Sequence, residues 1–334
     1  MHRLRAPTVG LILLFVAGCG SSSSDTTRTR SGSSSSDTTS SPRPASAAAF
    51  PKPNGRTIAQ LAKTAPEGPV LVPSVSNAFE GENRLGFGLF TRAQKQINGA
   101  QVVVYTADKQ GQDVKGPYPA RFESLAVNPQ FESKTTASDP DAAKGVYVAD
   151  VPFAKNGPAT ILGMARVNGK LQSAGQLSVD VGANTHGPPR PGDKAIPIHT
   201  PTLASVGGDA SKIDTRIPPA KSLSQTDFAD VLGKKPTVLL FATPALCKSR
   251  VCGPVEDVAA QVAAQYGDKV AFIHQEIYND NQVEKGFRPQ VGKWRLPSEP
   301  WAFAIDRKGV VVDRLEGAFS AAELQRAAQK ALNA

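Results

Sequence analysis

Long apolar runs are missing from this chain. The one that stands out, Val9 to Val16, falls well short of the ~20 residues a membrane-spanning helix needs, so a multi-span membrane protein is excluded. A basic face is missing as well. Of the net charge of +9, residues 1–65 carry +6, residues 66–182 are neutral, residues 183–200 carry +1 and residues 201–334 carry +2. Nucleic-acid binding therefore has little electrostatic support. Cysteine is scarce, with three in 334 residues, and residues 66–182 contain neither Cys nor His. That stretch has no catalytic or metal-binding constellation. Hydrophobic residues, at 40%, fall a little below the usual ~45–50%, and 29 Gly and 27 Pro accompany long Ser runs, so part of the chain does not pack. The rest has length for about two folded units at roughly 100–200 residues each.

The N-terminus reads Met-His-Arg-Leu-Arg, then the short apolar run, then Ala17-Gly18-Cys19, the layout of a secretory signal. Val16-Ala17-Gly18-Cys19 resembles the lipobox of bacterial lipoproteins, which implies cleavage after residue 18 and lipid on Cys19. An odd cysteine in an exported protein is thereby explained, leaving Cys247 and Cys252 as a pair outside the cytosol, where disulfides persist. Residues 19–65 are expected to form a disordered tether: Gly-Ser-Ser-Ser-Ser-Asp-Thr-Thr occurs at 20–27 and again at 32–39, with no apolar face to bury. As a flexible coil it would span roughly 35–40 Å.

Between 66 and 182 short β-type runs alternate with Gly, Pro and Asn. Strands are expected at Val70–Val72, Arg84–Thr91, Ala100–Thr106, Val146–Val151, Ala159–Val167 and Leu171–Val181, with a turn at Asn168-Gly169. The pattern predicts an antiparallel sandwich of about seven strands. Arg84-Leu-Gly-Phe-Gly-Leu-Phe-Thr91 followed by Gly99-Ala-Gln-Val-Val-Val-Tyr105 resembles the immunoglobulin-like modules of exported bacterial proteins, implying a spacer or docking platform. Residues 183–200 read as a linker. Its His186 and His199 are a poor basis for a metal site on a flexible segment.

From 201 the order of elements is β-α-β-α-β-β-α. Ser224 is expected to cap a helix running to Leu232. Then come an apolar strand, Thr237–Ala242, a turn holding the cysteines, a helix to about Tyr266, a strand at Val270–Gln275, and a mixed segment to Trp294. Strands at Trp301–Ile305 and Val310–Leu315 follow, and a last helix opens with the capping box Ser320-Ala-Ala-Glu323. Phe241-Ala-Thr-Pro at a strand end, a cysteine at the next turn, and Pro300 opening a hairpin that bends at Gly309 resemble the thioredoxin-like superfamily. The resemblance implies an α/β thioredoxin-like fold over 201–334, Cys247 as nucleophile at a helix N-terminus, Pro300 as the cis-proline facing it, and Pro254 as a helix-kinking proline. A helix start stabilises a thiolate, and Lys248 and Arg250 are expected to add to this.

Four residues separate Cys247 from Cys252. In a regular helix that spacing sets the Cα atoms about 8–9 Å apart, beyond the ~7 Å a disulfide tolerates. Either Cys247 lies in the turn before the helix, or the first turn unwinds on oxidation. The second option resembles peroxiredoxins of the bacterioferritin-comigratory type. Leu240 and Leu246 stand where thioredoxins carry a buried Asp and a Trp, and Glu299 precedes Pro300. The leading expectation is a lipid-anchored thiol-disulfide oxidoreductase at the outer face of the cytoplasmic membrane, or on its periplasmic side, of a bacterium. Cys247 would attack, Cys252 resolve and Pro300 shape the partner groove. Its partners would be protein thiols and disulfides of the envelope together with a redox partner, with no cofactor. A thiol peroxidase, a copper carrier, a non-catalytic adhesin and an inert stabilising disulfide are the alternatives. His274 reads as an ordinary strand-end residue.

Overall fold

A computed structural model describes residues 45–182 and 186–334. The expected leader, Cys19 and the Ser-rich repeats lie outside the described residues. So do residues 183–185 of the expected linker. No helix among the described residues is long and apolar enough to cross a membrane.

Residues 45–65, expected to continue the tether, are packed. Thr57 caps α1 (Ile58–Ala62) through a capping box with Gln60. Phe50, Ile58 and Leu61 are buried against Val103, Tyr105, Leu162 and Met164. Three apolar anchors were enough to fix a segment whose average composition reads as unstructured.

Seven strands follow: β1 (Val70–Pro73), β2 (Gly81–Phe90), β3 (Gln101–Asp108), β4 (Lys115–Ser124), β5 (Gly145–Phe153), β6 (Gly157–Val167) and β7 (Lys170–Val181). All are antiparallel, in the order β1-β2-β5-β4-β3-β6-β7. They make one continuous sheet instead of two separate layers. Its edges nearly close on each other, through parallel bridges Glu67–Ser173 and Ala78–Val181. Near-closure shortens the exposed strand edges, and the enclosed core is built from Phe87, Leu89, Val102, Val104, Tyr147, Val151 and Ile161. Strand β4 was not expected, because Pro117 and Pro119 argue against a central strand. It nevertheless pairs on both sides, with a register shift against β3 between Val104 and Thr106. Between β4 and β5 a long connection carries the short α2 (Lys134–Ala137), capped by Ser133.

The linker region is also packed. Ala195 and Ile198 are buried, and Lys194 bridges to Val310. The helix expected to start at Ser224 instead has Asp227 as its N-cap and is short, α3 (Phe228–Val231); Ser224 ends a preceding 3₁₀ turn. Then come β8 (Thr237–Ala242), α4 (Cys252–Tyr266), β9 (Ala271–Glu276), α5 (Pro289–Lys293), β10 (Trp301–Ile305), β11 (Val311–Glu316) and α6 (Ala321–Asn333). The four strands form a second, smaller sheet in the order β11-β10-β8-β9. β8 and β9 are parallel and the other pairs antiparallel. Every residue of β8, β9 and β10 is buried, as strands covered on both faces must be. Helices α4 and α6 lie on one face over Val238, Leu240 and Ala302. The other face packs Trp294, Trp301 and Phe303 against Phe241 and Phe228. Both bonds of the Ser320–Glu323 capping box form at the start of α6.

The described residues, 45–182 and 186–334, belong to one compact unit. The two sheets are tied by polar contacts: Arg84 makes a bidentate bond to Glu323 (2.7 and 2.8 Å), Glu316 accepts from the Ser76 amide at 2.6 Å, and Ser320 donates to Glu123 at 2.6 Å.

Candidate functional site

The central strand β8 ends at Ala242, and the chain turns at once: the Leu246 and Cys247 amides both donate to the Thr243 carbonyl. Arg250 then takes a left-handed φ of 58°, which swings the chain back into α4. This helix has Val251 at its N-cap position and no side chain to cap it. Its first amides would be orphaned. The Cys247 sulfur fills that place, accepting from the backbone N–H groups of Cys252 and Val251 and contacting Ser249 Oγ at 3.1 Å.

Cys247 is half-buried and Cys252 fully buried; both are reduced. The Cys252 thiol donates to Cys247, and this bond leads the effects that bring the Cys247 thiol down to about 6; burial opposes, and Ser249 and the two amides reinforce. Cys252 moves the other way. Burial pushes it well above its ordinary value, and its bond to Cys247 and the charge there add to the rise. The pair thus divides into one thiolate facing a groove and one thiol behind it. Cys247 sits in the turn, before the helix begins at Cys252. Pro254 lies in the first turn of that helix, where proline is tolerated.

Pro300 immediately precedes β10, whose Trp301 pairs with Phe241 near the end of β8. The Glu299–Pro300 peptide is cis. Burial raises the Glu299 carboxyl, and the nearby Cys247 charge raises it further, against Lys248. Tyr278 feels burial first and then Glu299 and both cysteines. Glu299 and Tyr278 are thus both near enough to the sulfurs to feel their charge. Arg250 pairs with Asp139 at 2.5 Å across the groove. His274 is fully buried and approaches Glu256 Oε2 (3.5 Å) and the Ala242 carbonyl (3.0 Å). His199 bonds Asp227 at 2.6 Å.

A groove of about 960 Å³ opens beside Cys247. One wall is the cysteine turn, with Pro244, Leu246 and Lys248. The other comes from the β4–β5 connection, with Lys134, Thr136 and Asp139. That connection is fastened by Ser133 to Asp257 (3.1 Å), by Lys134 N–H to the Ile217 carbonyl (2.7 Å) and by Ala143 N–H to the Arg250 carbonyl (3.1 Å). Sequence reasoning missed this wall, since it depends on contacts between distant parts of the chain. It also missed Ser249 and Tyr278. Ser249 carried a local signal: a hydroxyl two residues after the cysteine.

Compared with known proteins, the chain matches no family model and no curated sequence.

Proposed function

We propose that the chain is an extracytoplasmic thiol-disulfide oxidoreductase with a thioredoxin-like catalytic region. What carries the reading is the asymmetry of the two sulfurs: Cys247 at about 6 and partly exposed, Cys252 raised and buried. The thiolate is the attacking species in disulfide exchange. Cys247 attacks a client disulfide, bonds to one client sulfur and releases the other as a thiolate, which takes up a proton. Cys252 gives up its proton and attacks the Cys247 sulfur. The second client thiol leaves, and the Cys247–Cys252 disulfide remains, with two electrons passed to the client. Run backwards, the same steps oxidise a dithiol. Client backbone would lie in the groove between the cysteine turn and the β4–β5 connection, with Pro300 shaping its approach to Cys247. Lipid on Cys19 would hold this assembly at the membrane.

The test is covalent capture. Reduced full chain carrying Cys252→Ser, mixed with an unfolded disulfide-bonded protein, should form an adduct through Cys247 that dithiothreitol releases. The Cys247→Ser chain should form none. Equal capture by both variants would sink the assignment.

A further inference from the structure

Behind the cysteines lies a second cluster that exchange chemistry does not use. Asp214 precedes the segment 215–217 that runs over the cysteine turn, Glu256 lies on α4 one helical turn after Cys252, and His274 lies on β9. All three are buried, at 2%, 0% and 2% exposure. One oxygen from each carboxylate and one ring nitrogen lie within 4.8 Å of one another.

The polar accounting around them does not close. Asp214 accepts from the amides of Arg216 (2.7 Å) and Ala220 (2.6 Å). Arg216, the buried guanidinium of this neighbourhood, is committed to Asp257 at 2.8 Å and to the carbonyls of Pro218 and Phe131. Glu276 is taken by Thr215 and by the Ile277 amide. Glu256 lies against Asp214 and against His274 Nε2 (3.5 Å), but neither of its oxygens, nor His274 Nδ1, makes a hydrogen bond of good geometry. A buried, unpaired polar atom costs about 1–3 kcal/mol, and a charged one more. Three in one cluster is too many for accidental packing.

We propose that Asp214, Glu256 and His274 bind one divalent cation of the zinc class. Two carboxylates and a neutral imidazole balance its charge, so the ion answers both the crowding of two buried carboxyls and the unpartnered Glu256 oxygens. Calcium and magnesium prefer six or more oxygen ligands or retained waters. An enclosed set of three donors with one nitrogen suits a borderline ion such as Zn²⁺. Bonds of about 2.0–2.2 Å place donors roughly 3.3 Å apart, so donors now within 4.8 Å of one another would close by up to about 1.5 Å around the ion. Held there, the ion would fasten α4 to β9 and to the 214–216 segment, whose Thr215 Oγ1 receives the Ala245 amide of the cysteine turn at 3.1 Å.

The experiment removes every thiolate first, using the full chain with Cys19, Cys247 and Cys252 replaced by Ser, so that its outcome is independent of the redox reading. Zn²⁺ is titrated against a chromophoric chelator, and thermal unfolding is followed with Zn²⁺ and with EDTA. One equivalent should bind, Zn²⁺ should raise Tm by several degrees over EDTA, and Glu256→Gln and His274→Gln should each weaken binding at least tenfold. Should either variant fail to fold, Asp214→Asn and the Tm difference of the parent decide. No binding by the parent, an unchanged Tm, or unaltered affinity in the folded variants overturns the site.

Discussion

The two sheets treat charge in opposite ways. In residues 45–182 the buried polar side chains are Thr106, Ser133, Thr136 and Ser173, and no Asp, Glu, Arg, Lys or His among the described residues there is fully buried. The C-terminal region buries Asp214, Arg216, Glu256, Asp257, His274, Glu276, Asp306, Glu316 and Glu323. An antiparallel ladder satisfies its own backbone and fills its interior with apolar side chains, so it needs no buried charge. The smaller sheet has loops, helix ends and long connections meeting over it, and ionic groups bind these together. Buried charge is costly unless paired. Its concentration on one side of the molecule marks where shape is held by polar bonds, and there the cysteine pair also sits.

The sharpest way to break this contrast is at the bond that crosses it. Arg84, from the charge-poor sheet, makes the bidentate pair with buried Glu323. Arg84→Ala strands that carboxylate, with an expected loss of about 3–5 kcal/mol. Arg84→Ala with Glu323→Leu should recover most of it, read from denaturant midpoints. The pair also sets an acid limb. Burial raises the Glu323 carboxyl, but Arg84, Ser320 N–H and Arg121 outweigh it and hold the group below its ordinary value. A depressed carboxyl contributes stability above its unfolded value of about 4.3. That contribution fades as pH falls through the folded value, and Arg84→Ala should lose this part of the pH dependence. If the single variant is neutral, the sheets are not joined in the way described.

A smaller effect is expected at Gly317, where β11 leads to α6. Its φ is +69°, and a Cβ there would meet the Ser74 carbonyl oxygen at a distance no real contact reaches. Gly317→Ala combines left-handed strain with overpacking, about 2–3 kcal/mol. Gly169→Ala, at φ +77° with open space around it, has the strain alone and should cost about 1 kcal/mol. Equal losses at the two positions would mean that Ser74 yields freely and that the contact between the regions is soft.

Much of this was readable from sequence, and the failures share a cause. Local signals worked. The strands at 237–242 and 301–305 and the capping box at Ser320 depend on neighbouring residues alone. The spacing of Cys247 from Cys252 left two options open, and the structure places Cys247 ahead of α4. Strand β4 was hidden because Pro117 and Pro119 carry a local rule against strands that pairing on both sides overrides. Packing of residues 45–65 rests on Phe50, Ile58 and Leu61 meeting β3 and β6, which composition averaging erases. Asp214, Glu256 and His274 gave no motif because three separate elements deliver them. Only Glu256 left a trace, a charge on the face of α4 that also carries Cys252.

The smallest effect is also the one that most sharpens the comparison, since it reads a single proton in the charge-rich region. Alkylation of reduced Cys247 should rise with a midpoint near pH 6, against about 8.5 for a free thiol. Cys252, buried and raised, should resist until the protein unfolds. The rate gain is modest for a physical reason. At pH 7 the lowered value enriches thiolate about 30-fold, but nucleophilicity falls with basicity by roughly tenfold over the same interval, leaving a few-fold advantage. Midpoint, not rate, is therefore the observable. Ser249→Ala removes one bond to the sulfur and should move the midpoint upward by less than one pH unit; Cys252→Ala removes the leading stabiliser and should move it further. The sign carries to stability. A thiol depressed on folding favours the folded, reduced chain above its unfolded value of about 8.5, and the advantage drains away as pH falls toward 6. Cys252, raised on folding, acts in the opposite sense, so Cys247→Ser should expose that opposing slope at alkaline pH. A midpoint for Cys247 at 8.5 in the folded chain would leave the start of α4 without its anion, and the two sheets would differ in buried charge but not in chemistry.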